Sequence, residues 1–115
     1  MKFGIFYEHQ LPRPWTEESE HTLLKNSLEQ IELADKLGYH YAWEVEHHFL
    51  EEYSHSSSPE VFLAACSQRT KNIRLGHGIT LTPHRYNHPI RIAERVATLD
   101  ILSKGRVNWG SGKSA

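Results

Sequence analysis

The chain has 115 residues, 13 Lys+Arg against 14 Asp+Glu, and 38% hydrophobic residues, with a mean hydropathy of −0.59, which is the profile of a soluble globular domain. A near-zero net charge without a clustered basic face argues against a nucleic-acid partner. No apolar run approaches the roughly 20 residues that span a bilayer, and no signal-peptide core follows Met1, so the expected location is the cytoplasm, away from membranes.

Phe3, Ile5 and Phe6 form a short apolar run that reads as a first buried strand. After the turn-rich segment Gln10 to Trp15, Thr16 can cap a helix with acidic Glu17, Glu18 and Glu20 in its first turn. Leu24, Leu28, Ile31 and Leu37 follow at near-helical spacing, and Gly38 supplies a stop. Tyr39, Tyr41, Ala42, Trp43 and Val45 make an aromatic-rich second strand that runs into Glu46-His47-His48-Phe49. Ser58-Pro59-Glu60 opens a second helix to about Arg69. Cys66, the only cysteine, falls in its apolar pattern and reads as a buried thiol. Ile73 to Thr82 is a third strand containing Gly76 and Gly78. Pro89 opens a third helix whose Ile92, Val96 and Leu99 share a face and which stops at Lys104-Gly105. Arg106 to Trp109 begins a fourth strand.

Strict alternation of strand and helix predicts a parallel sheet with right-handed crossovers, either doubly wound or closed into a barrel. Four strands at about 30 residues per unit match half of a (β/α)8 TIM-type barrel of about 250 residues. Two raw parallel edges are seldom left exposed. The expectation is therefore the first four strands and three helices of such a barrel, with residues 1–115 as the N-terminal half of one domain and the chain a C-terminally truncated fragment.

Ligands in parallel α/β folds gather beyond the C-terminal ends of the strands, so the segments there are the candidates. Glu46, His47 and His48 place one carboxylate and two imidazoles in succession; if the strand persists, Glu46 and His48 face one way and His47 the other. A histidine in a cleft moves protons near neutral pH, and a carboxylate beside it fixes its tautomer. A polar rim bonded to backbone carbonyls is the plainer reading. Zinc is a third, since nine histidines are present and His9, His55, His77, His84 and His88 lie near strand ends, although no HExxH or H-x-H spacing occurs. Gly76-His77-Gly78-Ile79 lets a planar ligand approach the backbone, or marks a bulge or tight packing. Gly112-Lys113-Ser114 invites comparison with a phosphate-binding loop, but Val107 stands where the pattern requires glycine.

Taken together, Met1-Lys2-Phe3-Gly4, Glu46-His47-His48-Phe49, the glycine-containing third strand ending in Pro83, and Ala93-Glu94-Arg95 through Leu99-Asp100 to Gly105-Arg106-Val107 resemble the N-terminal part of the bacterial luciferase-like flavin-dependent monooxygenases. The resemblance runs over essentially the whole chain. It implies a β/α barrel, assembled as a homo- or heterodimer, that uses reduced FMN from a separate flavin reductase, and O2, to oxidise a small organic substrate. His47 would be the catalytic acid/base and His48 its catalytic neighbour. Glu46 would shape the cofactor site, Gly78-Ile79 would form a non-proline cis peptide beneath the flavin ring, and Gly112 would approach the same ring. The resemblance places the flavin-phosphate site in the half of the barrel beyond this sequence, so these 115 residues alone should bind FMN poorly. Three alternatives remain: a deazaflavin (F420)-dependent dehydrogenase of the same superfamily, a metal-dependent TIM-barrel hydrolase, and a half-barrel structural module that is no enzyme.

Overall fold

A computed structural model describes residues 1–85 and 87–113. The order is β1 (Gly4–Tyr7), α1 (Ser19–Lys36), β2 (Tyr41–Glu44), α2 (Pro59–Arg69), β3 (Arg74–Leu81), α3 (Pro89–Leu102) and β4 (Val107–Gly112). All neighbouring strands pair in parallel, and the sheet order is β1-β2-β3-β4. A doubly wound sheet reverses its strand order at a switch point; sequential order with every crossover stepping the same way is how a (β/α)8 barrel is laid down.

Alternation within the strands sets the two faces. Tyr7, Ala42 and Leu75 turn toward the helices, where they join Ile31, Ala34, Leu63, Cys66, Ile73 and Leu99 in one core cluster. The opposite face carries Phe6, which is 56% exposed, and Trp43, whose ring covers Gly76. A Cβ at Gly76 would land on that indole. Gly76→Ala should therefore cost about 1–3 kcal/mol, read from urea midpoints, and Gly76→Ala/Trp43→Leu should recover most of the loss in a double-mutant cycle.

Several expected boundaries move. Helix α1 begins at Ser19, and Glu18 at its N-cap makes no side-chain cap. Thr16 and Ser19 instead close a turn on each other: the Thr16 carbonyl accepts from Ser19 N–H at 3.2 Å, and Ser19 Oγ accepts from Thr16 N–H at 2.9 Å. Leu37, expected in the apolar stripe, is 67% exposed because the helix ends before it, at Lys36. Pro89 opens α3 as expected, with the His88 ring accepting from Ile90 N–H. Ser58 precedes Pro59 at the start of α2, but its hydroxyl caps nothing.

Side chains tie the N-terminal side of the sheet and the helix ends together. Asp35, near the end of α1, accepts from the backbone N–H groups of Lys71, Asn72 and Ile73. The Arg106 guanidinium donates to the carbonyls of Ser67, Thr70, Ile73 and Ser103. These clamps lie at the end of the sheet opposite Glu46 to Phe49. In barrels of this type that end serves stability, which leaves the other end free for chemistry.

Candidate active site

Strand β2 stops at Glu44, two residues before Glu46, so the expected persistence of the strand does not hold. The divergence of the two side chains that it predicted does. His47 and His48 leave the chain toward different carboxylates: His47 Nε2 lies 3.4 Å from Glu8 Oε2, while His48 Nε2 lies 3.0 Å from Glu46 Oε1. The path beyond β2 is fixed by its own hydrogen bonds. His47 N–H donates to the Ser56 carbonyl at 2.8 Å and His55 N–H to the His9 carbonyl at 2.9 Å, and the chain reverses through Phe49 and Glu51 at positive φ. Phe49, the last residue of the tetrapeptide, is wholly exposed.

Glu46 is the anchor of the group. It is 7% exposed, and its Oε2 accepts from Leu81 N–H at 2.8 Å. Its Oε1 accepts from Asn87 Nδ2 at 3.0 Å. Asn87 also donates to the Leu81 carbonyl at 2.6 Å, accepts from Arg95, and Arg95 reaches Glu60 at 3.1 Å. A buried carboxylate is tolerable only when its lone pairs are satisfied; Leu81 of β3 and Asn87, before α3, satisfy them, and Arg95, itself paired with Glu60, holds Asn87. The outcome is an imidazole, His48, held by a carboxylate that cannot move.

Glu8, Asn87 and Arg95 were not singled out as site residues from the sequence, although Arg95 stands in the Ala93-Glu94-Arg95 stretch that carries the resemblance. Glu8 follows β1 directly, so the rule that sites sit beyond strand C-termini could have found it. Asn87 and Arg95 carry no such signal, because only the folded path of β3 into α3 brings them to Glu46. The pocket over this group is about 600 Å³ and is lined by Glu46, His47, His48, Leu81, Asn87 and Arg95 among others.

The Gly78–Ile79 bond is cis, as the resemblance implied. Beside it the β3–β4 register shifts between His77 and Thr80, so a bulge accompanies the glycines. Gly112 lies in β4 against the Ile79 side chain, which occupies the space a Cβ would need. At Gly110 a Cβ would sit 2.6 Å from the His77 carbonyl oxygen. Missing side chains at 76, 110 and 112 thus serve close packing between β3 and its neighbours, while Gly78 and Ile79 remain partly exposed. Ser114 of the Gly112-Lys113-Ser114 motif lies outside the described residues.

His77 points to the helix side and is 2% exposed. Burial pushes its pKa down to about 4, with the Glu46 carboxylate opposing and Arg95 assisting. His9 and Glu44, also buried, approach to 2.7 Å. Cys66 is buried as expected, and burial, reinforced by the Glu44 charge, lifts its thiol to about 12, which makes it an inert core residue. Among the described residues no three His, Cys, Asp or Glu side chains converge on a common metal position, and no helix is long and apolar enough to cross a membrane.

Comparison with known proteins gives this geometry a family. The sequence matches the luciferase-like monooxygenases over residues 1–115. Limonene 1,2-monooxygenase of Rhodococcus erythropolis is 39% identical over 112 residues, 96% of this chain and 27% of that protein. The oxygenase component of a flavin-dependent trigonelline monooxygenase from Acinetobacter baylyi is 30% identical over 115 residues, 100% of this chain and 31% of that protein. Among solved structures, a monooxygenase from Streptomyces bottropensis superposes with a TM-score of 0.86 at 37% identity, over 100% of this chain and 34% of its own. The oxygenating constituent of 3,6-diketocamphane monooxygenase from Pseudomonas putida, in complex with FMN, gives 0.86 at 26% identity, covering 100% and 30%. An F420-dependent secondary alcohol dehydrogenase gives 0.73 at 26% identity, covering 96% and 31%. The chain spans about a third of the length of these proteins. With four sequential parallel strands, three covering helices and a family match from end to end, the chain belongs to the luciferase-like monooxygenases.

Proposed function

We propose that this chain supplies the N-terminal half of a (β/α)8 barrel in the oxygenase component of a two-component flavin-dependent monooxygenase. In this reading the enzyme takes reduced FMN from a separate flavin reductase, uses O2, acts on a small organic substrate, and works as a dimer in the cytoplasm. The observation that carries the reading is the cluster beyond the C-terminal end of β2, where Glu46 holds His48 and His47 turns to Glu8, beside a pocket that also takes in Leu81 at the end of β3, the strand with the cis Gly78–Ile79 bond. The names of two relatives support it, one being an oxygenase component and one holding FMN.

The residues present fit the ring end of a flavin. The partly exposed Gly78–Ile79 backbone offers a flat surface, Gly112 keeps β4 close to Ile79, and Glu46 fixes the edge of the pocket. When bound, the flavin supplies the electrons and the oxygen chemistry that no side chain can. The protein's part is to bind, to exclude water and to handle protons. His47 Nε2, with Glu8 beside it, is the group that moves a proton at the pocket edge. His48, whose ring is fixed by Glu46, orients the site.

The test is a comparison of two cofactor systems with the protein's complete reading frame. Reduced FMN with O2 should give oxygenated product, and reduced or oxidised F420 with an alcohol or ketone should give none. Turnover that proceeds without O2 in the F420 arm would falsify the monooxygenase reading in favour of the dehydrogenase, which the structural neighbour at TM-score 0.73 keeps as the second reading. Stoichiometric zinc by elemental analysis would point to a hydrolase. Residues 1–115 alone should bind FMN more weakly than micromolar. The cation lining their pocket, Arg95, is already committed to Glu60 and Asn87, which leaves the phosphate little to hold it; submicromolar affinity by fluorescence quenching would overturn this expectation.

A further inference from the structure

Behind the sheet, between α1 and α2, lies a second cavity of about 300 Å³. Its volume is several times the roughly 30 Å³ that one liquid water occupies and reaches the lower range of ligand pockets. Its walls are apolar at Leu24, Leu28 and Phe62, and polar at His9, Glu44 and His55. Three atoms of those polar residues are buried without a partner: His9 Nε2, Glu44 Oε2 and His55 Nε2. His9 is 3% exposed and Glu44 1%.

The partnered atoms fix what the free ones can do. His55 Nδ1 lies 2.7 Å from Glu20 Oε1. His9 Nδ1 lies 2.7 Å from Glu44 Oε1, close enough to pair although off the line of a straight hydrogen bond. A nitrogen facing a carboxylate carries the ring proton, so Nε2 of each neutral imidazole is an acceptor. Ser56 Oγ already donates to Glu44 Oε1 at 2.5 Å, and Oε2 is likewise an acceptor. The three unpartnered buried atoms are therefore acceptors, beside the hydroxyls of Ser57 and Ser58 in the same lining. Among the described residues no Lys or Arg lines the cavity, and acidic groups near it are Glu44, Glu8 and Glu20.

We propose that this cavity is a binding site for a small organic ammonium, a primary alkylamine in its protonated form. An –NH3⁺ group brings three donors and one positive charge to a wall of three acceptors with one carboxylate among them. The alkyl tail lies on Leu24 and Leu28, and the Phe62 face adds cation–π attraction. Water alone would satisfy the acceptors but would leave the apolar wall without a partner. This site is separate from the flavin reading, and binding is measured without cofactor or turnover.

The full chain is titrated with n-butylammonium chloride and followed through the ring resonances of His9 and His55. Saturable shifts are expected, with Glu44→Gln raising the apparent Kd at least tenfold and n-butanol, which has the same tail but one donor and no charge, at least tenfold weaker. Ala65→Phe plugs the cavity from α2 while leaving all three acceptors in place, and should abolish the shifts. Absence of saturable shifts, meaning a cavity that holds water only, overturns the proposal, as does butanol binding equal to butylammonium. Should Glu44→Gln fail to fold, the Ala65→Phe and butanol arms decide the matter.

Discussion

His47→Ala is expected to slow oxygenation about 10²–10⁴-fold, the range that a positioned acid/base supplies, while moving the unfolding midpoint by less than about 1 kcal/mol. The small stability effect follows from where the ring sits. The His47 side chain is 33% exposed and its partner Glu8 is 24% exposed, with 3.4 Å between them, so solvent screens much of what the pair contributes. Its backbone N–H bond to Ser56 survives the substitution. Glu46→Gln should lower stability as well as rate. Glu46 accepts from Leu81 N–H with one oxygen and from Asn87 with the other, and an amide has only one oxygen to offer, so one of two buried donors is left facing an N–H2 group. The expected cost is about 1–3 kcal/mol, along with a freed His48 and a lower kcat. Steady-state rates and urea midpoints measured on both variants separate chemistry from architecture. A folded His47→Ala enzyme with unchanged kcat would remove His47 from the mechanism, and a Glu46→Gln enzyme with unchanged midpoint would mean that the buried network does not support the site.

How much of this could be read before folding differs by level. The β-α-β-α-β-α-β order was legible because each helix carries punctuation with a physical cause, with Pro59 and Pro89 at first-turn positions and Gly38 and Gly105 at positive φ after the helices. The start of α1 was not, because Thr16 offers the same hydroxyl to a cap or to the turn it makes with Ser19, and sequence does not rank the two. Barrel against doubly wound sheet was open on periodicity alone, since both alternate strand and helix; the sequential strand order decides it. At the site, Glu46, His47 and His48 announced themselves as adjacent polar residues where a strand should end. The groups that hold them are far away in sequence: Leu81 and Asn87 are 35 and 41 residues from Glu46. Gly76 was legible as a close approach but not as to what approaches, and the answer is the Trp43 ring. The cavity acceptors His9 and His55 were visible only as members of an unusual histidine count.

Between pH 6.5 and 4 the folded chain should lose about 3 kcal/mol of stability through His77 alone. Burial lowers its pKa from the ordinary 6.5 to about 4, so within that window the unfolded chain binds a proton that the folded one refuses. Stability therefore rises with pH across the window and is fully present above it. Other buried groups act elsewhere or in the other direction. Asp35 has a carboxyl that burial would raise, but three backbone N–H donors and Arg106 hold it below its ordinary range, so its contribution is lost only at lower pH. Glu44 is raised by burial against the pull of His9 and Ser56; the folded state keeps its proton more readily, which favours folding as pH falls and offsets part of the His77 loss. His77→Leu isolates the effect. His77 Nδ1 is buried without a partner, and replacing such a group by an apolar one of similar size is neutral or stabilising at neutral pH. Urea midpoints at pH 7 and 4.5 should then fall steeply for the parent and by about 2–3 kcal/mol less for the variant. Parallel losses in the two proteins would assign the acid sensitivity to the carboxylates and leave His77 as an inert core residue beneath the cis bond.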